Sequence, residues 1–367
     1  MQITSSPRSA DIAITGRCNL RCAYCFYADE MAALSDLPTE RWLPFFEELG
    51  RLGVMSVSLT GGEAFTRPDL FDLIDAIIAN RMRYNILSNG TLIDEEVLAQ
   101  FEVGKRRLRL DYIQISIDGS SAEIHNQSRP NSFERAFRGL RLLRDAGFPA
   151  VVRTTITRHN LHDLENTAHL LLDEIGLPSF STNEAGLIGA GCHNQGQITL
   201  TAAEESEAME ILDRLLEHYP GRLKAQAGPQ AKSKAYAEME HARRTGDKST
   251  SWTMGYLTAC GGVFSKLAVL HDGTVVPCHI LHGLALGNVA TDSLGDIWRT
   301  HPTLEALRER RSIPMQQVPG CEDCEWAPYC NGSCPGVAYE LTGDFNRANV
   351  QDCYRRFLTE TEKTHAV

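Results

Sequence analysis

Several common features are missing from this sequence. No uninterrupted apolar stretch in its 367 residues approaches the length needed to cross a membrane. The first residues, Met1-Gln-Ile-Thr-Ser-Ser-Pro7, lack the apolar core of a secretory signal. Together these absences point to a cytoplasmic protein with no membrane partner. Positive charge is in deficit: 36 Lys and Arg stand against 47 Asp and Glu, a formal net charge of −11. That balance disfavours nucleic acid as a partner. No internal repeat or low-complexity tract interrupts the chain, and between Cys25 and Cys260 the sole cysteine is Cys192. Hydrophobic content of 43% and charged content of 23% are ordinary for a globular protein. The length suits one large domain and a smaller one.

Eleven cysteines are present: three in Cys18–Cys25, seven in Cys260–Cys353, and Cys192. Without a secretory signal, such clusters read as metal ligands rather than disulfides. Cys18, Cys22 and Cys25 follow a Cys-x3-Cys-x2-Cys spacing directly after the apolar run from Ala10 to Thr15. Three thiolates hold three irons of a 4Fe–4S cube and leave the fourth open to a substrate or cosubstrate. The alternative is a zinc knuckle, but no second Cys or His pair follows nearby. The spacing, with Tyr24 as the aromatic before the last cysteine, resembles the signature of the radical S-adenosylmethionine (SAM) enzymes.

From residue 10 to about 185 short β-rich runs alternate with amphipathic stretches. Strands are expected at Asp11–Thr15, Val54–Leu59, Tyr84–Leu87, Tyr112–Ile117, Ala150–Ile156 and Ser179–Thr182, with helices near 39–52, 69–80, 93–103, 132–147 and 161–175. Such repetition builds a parallel α/β sheet whose chemistry collects at the carboxyl ends of its strands. The resemblance implies an open, partial (β/α)6 TIM-like barrel, expected over residues 1–219.

The motifs follow those strand ends. Thr60-Gly61-Gly62-Glu63 combines two glycines, which allow close backbone approach to a ligand, with a carboxylate suited to an ammonium. A Gly-rich turn with a surface acid is the plainer alternative. The resemblance implies that Gly61, Gly62 and Glu63 hold the amino group of SAM; Ala64 stands where the family usually has Pro. Ser88-Asn89-Gly90-Thr91 makes a polar turn where the family often has Asn-Gly. Next come Ser116, Asp118 and Arg129. In sulfatase-maturing relatives the residues matching Ser116 and Arg129 contact SAM; an Asp118–Arg129 salt bridge is the structural alternative. The backbone near Ala185 matches the adenine cradle, and the glycine-rich run to Asn194 is expected over the substrate. Cys192 in that run is either a hydrogen-atom donor to a substrate radical or a small buried residue.

Thr201–Tyr219 reads as an amphipathic helix, and the polar stretch 221–250 as a helix between loops, so 220–253 is expected to be a helical connection. Cys260 and Gly273-Thr-Val-Val-Pro-Cys278 follow, then Cys321, Cys324, Cys330, Cys334 and Cys353. Val269–His271 and Thr274–Val276 flank Asp272-Gly273 as a hairpin that delivers Cys278. This order of seven cysteines resembles the SPASM domain, expected over 254–367 with a C-terminal helix. It implies that Cys260, Cys278 and Cys334 hold a first auxiliary 4Fe–4S cluster and Cys321, Cys324, Cys330 and Cys353 a second, three clusters in all with the SAM-binding one. A pair of zinc sites is the alternative. Trp252-Thr-Met254-Gly-Tyr256 stands where some relatives have an eighth cysteine, so an open iron or another protein ligand is expected on the first auxiliary cluster. His279 replaces the aspartate base of sulfatase maturases. It is a candidate base near neutral pH or a plain core or surface histidine.

The resemblance implies reductive cleavage of SAM to a 5′-deoxyadenosyl radical that takes hydrogen from a ribosomally made peptide, as in the maturases of ribosomal peptide natural products (RiPPs). An oxidative cross-link or thioether is the expected outcome. Alternatives are an anaerobic sulfatase maturase, a cofactor-biosynthesis enzyme and a non-catalytic iron–sulfur electron carrier. Gly61, Gly62, Glu63, Ser116 and Arg129 argue against the last. Expected partners are a precursor peptide and an electron donor such as flavodoxin or ferredoxin. Only seventeen residues precede Cys18, so peptide recognition is expected from the barrel mouth, the SPASM domain or a separate protein.

Overall fold

The computed structural model describes residues 4–29, 31, 35–225, 227–250 and 252–365. Six parallel strands form in chain order: β1 (Ser9–Thr15), β2 (Ser56–Gly61), β3 (Arg83–Ser88), β4 (Leu110–Ser116), β5 (Ala150–Ile156) and β6 (Phe180–Glu184). Each expected strand is present; Ala150–Ile156 matches at both ends, and the other ends are displaced by at most two residues. Ile12, Ile14, Val57, Leu59, Ile86, Ile113, Ile115 and Val152 join one core with the covering helices, and Ser58, Asn85, Gln114 and Arg153 alternate with them on the other face.

Helices cover the outside. Trp42, Phe45, Phe46 and Leu49 are the buried side chains of helix Thr39–Arg51, and Leu70, Leu73, Ile74 and Ile77 those of helix Leu70–Ala79. Both sets recur at i, i+3, i+4 and i+7, so each helix turns one apolar stripe inward. The helix expected at 93–103 is shorter. Asp94 caps it by accepting from the Val97 amide at 2.9 Å, and it spans Glu95–Phe101 before a second short turn at Arg106–Arg109. The helix expected at 161–175 runs as Leu164–His169 and widens into a π-type turn over Leu170–Glu174.

The sheet is wider than six strands. β7 (Leu223–Ala225) adds in parallel beyond β6, inside the stretch expected to be only loop and helix. Helix Pro229–Thr245 follows it. At the opposite edge the hairpin β8 (Lys266–Val269) and β9 (Thr274–Val276) joins the same sheet, with β10 (Gly287–Asn288) outermost. β8 lies parallel to β1, pairing Ser9 with Lys266 through Ile12 with Val269. The cysteine-rich part is therefore continuous with the barrel. Leu267, Val269, Trp298 and Leu304 belong to the same core as Ile12 and Ile14. Among the described residues no helix is long and apolar enough to cross a membrane.

Gly139 sits inside helix Phe133–Asp145, where a Cβ would lie 2.3 Å from the Gly90 carbonyl oxygen. Alanine favours a helix over glycine by about 1 kcal/mol. Overpacking against backbone that cannot swing aside costs about 1–3 kcal/mol. The clash wins, so Gly139→Ala should lower the urea midpoint of unfolding; a raised midpoint would show that the turn at Gly90 gives way.

Candidate active site

The loop carrying Cys18, Cys22 and Cys25 leaves the carboxyl end of β1 and is held from four sides. From β2, Gly61 and Gly62 press against its start. A Cβ on Gly61 would lie 2.2 Å from the Thr15 oxygen, and one on Gly62 2.2 Å from the Arg17 oxygen and 2.9 Å from Cys18 Cβ. The glycines thus admit the cysteine loop itself, rather than only a ligand as the motif suggested. Gly61 also has φ +138°, which disfavours a side chain.

Glu63 follows and is 1% exposed. Its Oε1 accepts from Ser88 Oγ at 2.8 Å and the Phe65 amide at 3.2 Å, and its Oε2 from the Asn89 amide at 2.7 Å. Burial pushes its carboxyl up, and those hydrogen bonds pull it back. Among the described residues it has no cation within ion-pair distance, which an ammonium from a ligand would supply. Asn89 also reaches the cysteine loop: its Nδ2 donates to Asn19 Oδ1 at 2.9 Å and lies 4.0 Å from Cys18 Sγ.

Asp118 and Arg129 form the third side. The salt bridge that stood as an alternative is present, with Arg129 Nε 2.5 Å from Asp118 Oδ2 and both side chains nearly or fully buried. Arg129 Nη1 reaches Cys22 Sγ at 3.6 Å. Tyr24 Oη donates to Asp118 Oδ2, and the Arg129 guanidinium lies 5.2 Å from the centre of the Tyr24 ring. Asp118 Oδ1 accepts the Thr155 amide at 2.7 Å, tying the group to β5. Ser116, the last residue of β4, is half-buried and pairs with Arg153. Asp118 lies past the strand end, so strand alternation does not set its direction.

The loop after β6 makes the fourth side. Ala185 is buried, its amide bonded to the Ile156 oxygen at 3.1 Å. Gly189 has φ +56°, and a Cβ there would meet the Cys25 oxygen at 2.7 Å. Ala190 N donates to that oxygen at 3.0 Å, and Asn194 Nδ2 to the Ala23 oxygen at 2.9 Å. The glycine-rich run therefore packs on the cysteine loop. Cys192 within it is exposed, not buried.

Cys18, Cys22 and Cys25 act on one another's ionisation. The C-terminal thiols fall into two groups: Cys278 with Cys260 and Cys334, and Cys330 with Cys321, Cys324 and Cys353. Burial pushes Cys25 and Cys278 up to about 11 and Cys330 up to about 12. Metal must displace their protons. Among the described residues no three His, Cys, Asp or Glu side chains close tightly enough to grip one ion. A 4Fe–4S cube binds its thiolates at separate irons, and sets of three and four thiols supply the donors it needs.

His279 is half-buried. Its Nε2 lies 3.2 Å from the Val269 oxygen, which can only accept, so this nitrogen carries the proton and Nδ1 is the acceptor. Burial lowers its pKa.

Sequence reasoning missed two further links. Tyr27 Oη and His271 Nδ1 are 2.7 Å apart, both buried, joining the cysteine loop to the β8–β9 turn. Lys232, in the polar stretch read as a connecting helix, is buried; its Nζ lies 2.7 Å from Glu184, 2.6 Å from Glu205 and 3.2 Å from Asp352. Desolvation opposes its charge, yet those carboxylates hold its pKa well above the ordinary lysine value. This group borders a cavity of about 320 Å³ that Ala185 and Cys353 also line. The one signal in the sequence is position: Lys232 lies on the helix stripe of Pro229, Tyr236, Met239 and Ala242.

The radical SAM superfamily matches residues 12–171, and the SPASM iron–sulfur cluster-binding domain matches residues 260–325. This chain is a radical SAM enzyme with a SPASM domain. It is 28% identical to the AdoMet-dependent heme synthase of Methanosarcina barkeri, over 96% of this chain and 98% of that one. It is 26% identical to the PqqA peptide cyclase of Granulibacter bethesdensis, over 94% and 87%. The fold of this radical SAM chain is shared with Streptococcus suis SuiB bound to precursor peptide SuiA, at a TM-score of 0.72 and 16% identity over 96% of this chain and 77% of that one. It is also shared with anSMEcpe bound to AdoMet, at 0.67 and 18% over 97% of each.

One buried group makes a pH dependence. His125 is fully buried, its Nδ1 accepting the Asp118 amide at 3.1 Å and its Nε2 2.9 Å from Ser132 Oγ. Burial lowers its pKa from 6.5 to about 4. The unfolded chain therefore takes up this proton first, and stability falls as pH drops from about 6.5 to about 4. The full loss is about 3 kcal/mol. In urea titrations His125→Gln should flatten this window; an unchanged slope would assign the acid sensitivity to other groups.

Proposed function

We propose that this radical SAM enzyme modifies a ribosomally made precursor peptide, forming an oxidative cross-link or thioether. In this reading Cys18, Cys22 and Cys25 hold the SAM-binding 4Fe–4S cluster. Cys260, Cys278 and Cys334 hold a first auxiliary cluster, and Cys321, Cys324, Cys330 and Cys353 a second. Bound together, the first cluster and SAM supply a radical able to take hydrogen from unactivated carbon.

The protein's own residues prepare the ground. Glu63, fixed by Ser88 and the Asn89 amide, receives the SAM ammonium. Gly61 and Gly62 keep that carboxylate against the cysteine loop. Tyr24, Asp118 and Arg129 clamp Cys22, with Ser116 beside them, and the backbone at Ala185 takes the adenine. His279 offers Nδ1 for a proton, and exposed Cys192 would donate a hydrogen atom only if the substrate radical were quenched, as in epimerisation, rather than oxidised. A flavodoxin or ferredoxin supplies electrons, and the peptide is recognised by the barrel mouth, the SPASM domain or a separate protein.

The observation that carries this reading is the Tyr27–His271 contact across a small core that also contains Ala13, Ala268 and Val276, with Cys18 and Cys25 packed against it. It holds the hairpin that leads to Cys278 against the cysteine loop, supporting an auxiliary redox centre beside the reacting one. A substrate oxidised by two electrons needs such an acceptor. The end-to-end match to a heme synthase supports a second reading, a haem precursor as substrate.

Anaerobically reconstituted, dithionite-reduced protein should release 5′-deoxyadenosine from SAM, and the Cys18→Ala/Cys22→Ala/Cys25→Ala variant should release none. Persistent cleavage in that variant would sink the assignment. Coexpression with short peptides encoded beside the gene should give a peptide lacking two hydrogens by mass spectrometry. Deuterium uptake from heavy water without mass loss would indicate epimerisation with Cys192 as donor. Unchanged peptides and turnover of a haem precursor would favour the second reading.

A further inference from the structure

Arginines stand near all three sets of thiols, in different electrical settings; exposed Arg21 donates to the Cys18 oxygen at 2.9 Å. Arg129 reaches Cys22 but is paired with Asp118 at 2.5 Å, so much of its charge is already neutralised. Arg355, whose charge acts on Cys321, is at the surface and donates to the Gly320 oxygen at 3.2 Å. Solvent screens a charge there. Arg310 differs from all of these.

Arg310 is 0% exposed. Its Nε donates to the Phe345 oxygen at 2.5 Å, its Nη1 to the Thr258 oxygen and its Nη2 to the Arg347 oxygen at 2.7 Å. All three acceptors are backbone carbonyls. Among the described residues no carboxylate lies within ion-pair distance of it. Burial pulls its pKa down to about 10, with the charges of Cys334 and Cys260 the strongest opposition and Asp344 weaker. It therefore remains a cation near neutral pH.

A buried cation without a counter-ion is expensive, and carbonyl dipoles offset only part of the cost. The anionic groups acting most strongly on it are two thiols of one set. The same arginine shapes their loop. Thr258, whose oxygen it holds, also accepts the Cys260 amide on its Oγ1 at 3.3 Å. Cys260 itself has φ +56°, a conformation few non-glycine residues adopt.

We propose that Arg310 tunes the redox potential of the cluster held by Cys260, Cys278 and Cys334, its unpaired guanidinium making this cluster the first of the three to accept an electron. The inference rests on the cluster assignment proposed above. The couple is simple: one electron enters, no bond forms or breaks, and the cluster gains one negative charge. A fixed buried cation nearby stabilises the reduced form, and cluster potential follows local charge and exposure.

The test is a dithionite redox titration of the anaerobically reconstituted enzyme, followed by electron paramagnetic resonance, after iron and sulfide have been counted. In Arg310→Met the highest-potential wave should move to more negative potential while the other two stay. Arg310→Lys should fall between that variant and wild type. An unmoved wave in Arg310→Met with full iron content would overturn the proposal. Should Arg310→Met fail to take up iron, Cys260→Ala/Cys278→Ala/Cys334→Ala decides: losing the highest-potential wave supports the proposal, and losing a lower one instead overturns it. Wild-type iron short of three clusters overturns the cluster assignment, and the proposal with it, before any potential is measured.

Discussion

Parallel pairing of Ser9–Ile12 with Lys266–Val269 decides where the C-terminal thiols stand. Packing of Trp326 and Tyr354 on Met209 would still hold the C-terminal region without it. With it, the hairpin that leads to Cys278 becomes part of the barrel's own sheet. Backbone pairing sets the direction and register, and burial of Leu267 and Val269 in the shared core supplies the driving force. Tyr27 and His271 then lock the hairpin's turn to the cysteine loop. Two covalently distant segments, some 250 residues apart in the chain, thereby become one rigid neighbourhood.

Buried charge is handled differently around the mouth. Asp118 and Arg129 neutralise each other and spend their remaining hydrogen-bonding capacity on Tyr24, Thr155 and Cys22. Lys232 gathers three carboxylates from β6, helix Ala202–His218 and the segment before Cys353. Glu63 and Arg310 are left without partners of opposite sign among the described side chains. Unpaired buried charges are costly, and these two stand where an ammonium and an anionic cluster would complete them. The arrangement pre-pays part of the binding in the fold.

Close backbone approach is the other recurring device. Gly61, Gly62 and Gly189 each bring a neighbouring strand end or loop to within a distance that a Cβ would forbid. Each contact is with the loop that carries Cys18–Cys25. That loop is therefore gripped largely through backbone atoms.

Much of this was legible in residue order. Six strand–helix units follow from hydrophobic periodicity, which reports local burial and little else. The Cys18, Cys22 and Cys25 spacing is legible because it is local, whereas the C-terminal thiols are spread from Cys260 to Cys353. What periodicity could not show is contact between distant segments. β8 reads as half of a hairpin, and nothing in Lys266-Leu-Ala-Val269 names β1 as its other neighbour. β7 is three residues long and lies in a polar stretch, so its strand state comes from an open sheet edge rather than from its own composition. Lys232 and Arg310 look like surface charges in sequence and are buried in the fold. Sequence alone determined the thiols and the carboxylates available for chemistry, because residue type and spacing carry that information. Which charges are paired, which are left unpaired, and which cluster site each one faces were decided only by the tertiary structure, because burial and long-range pairing are properties of the packed chain.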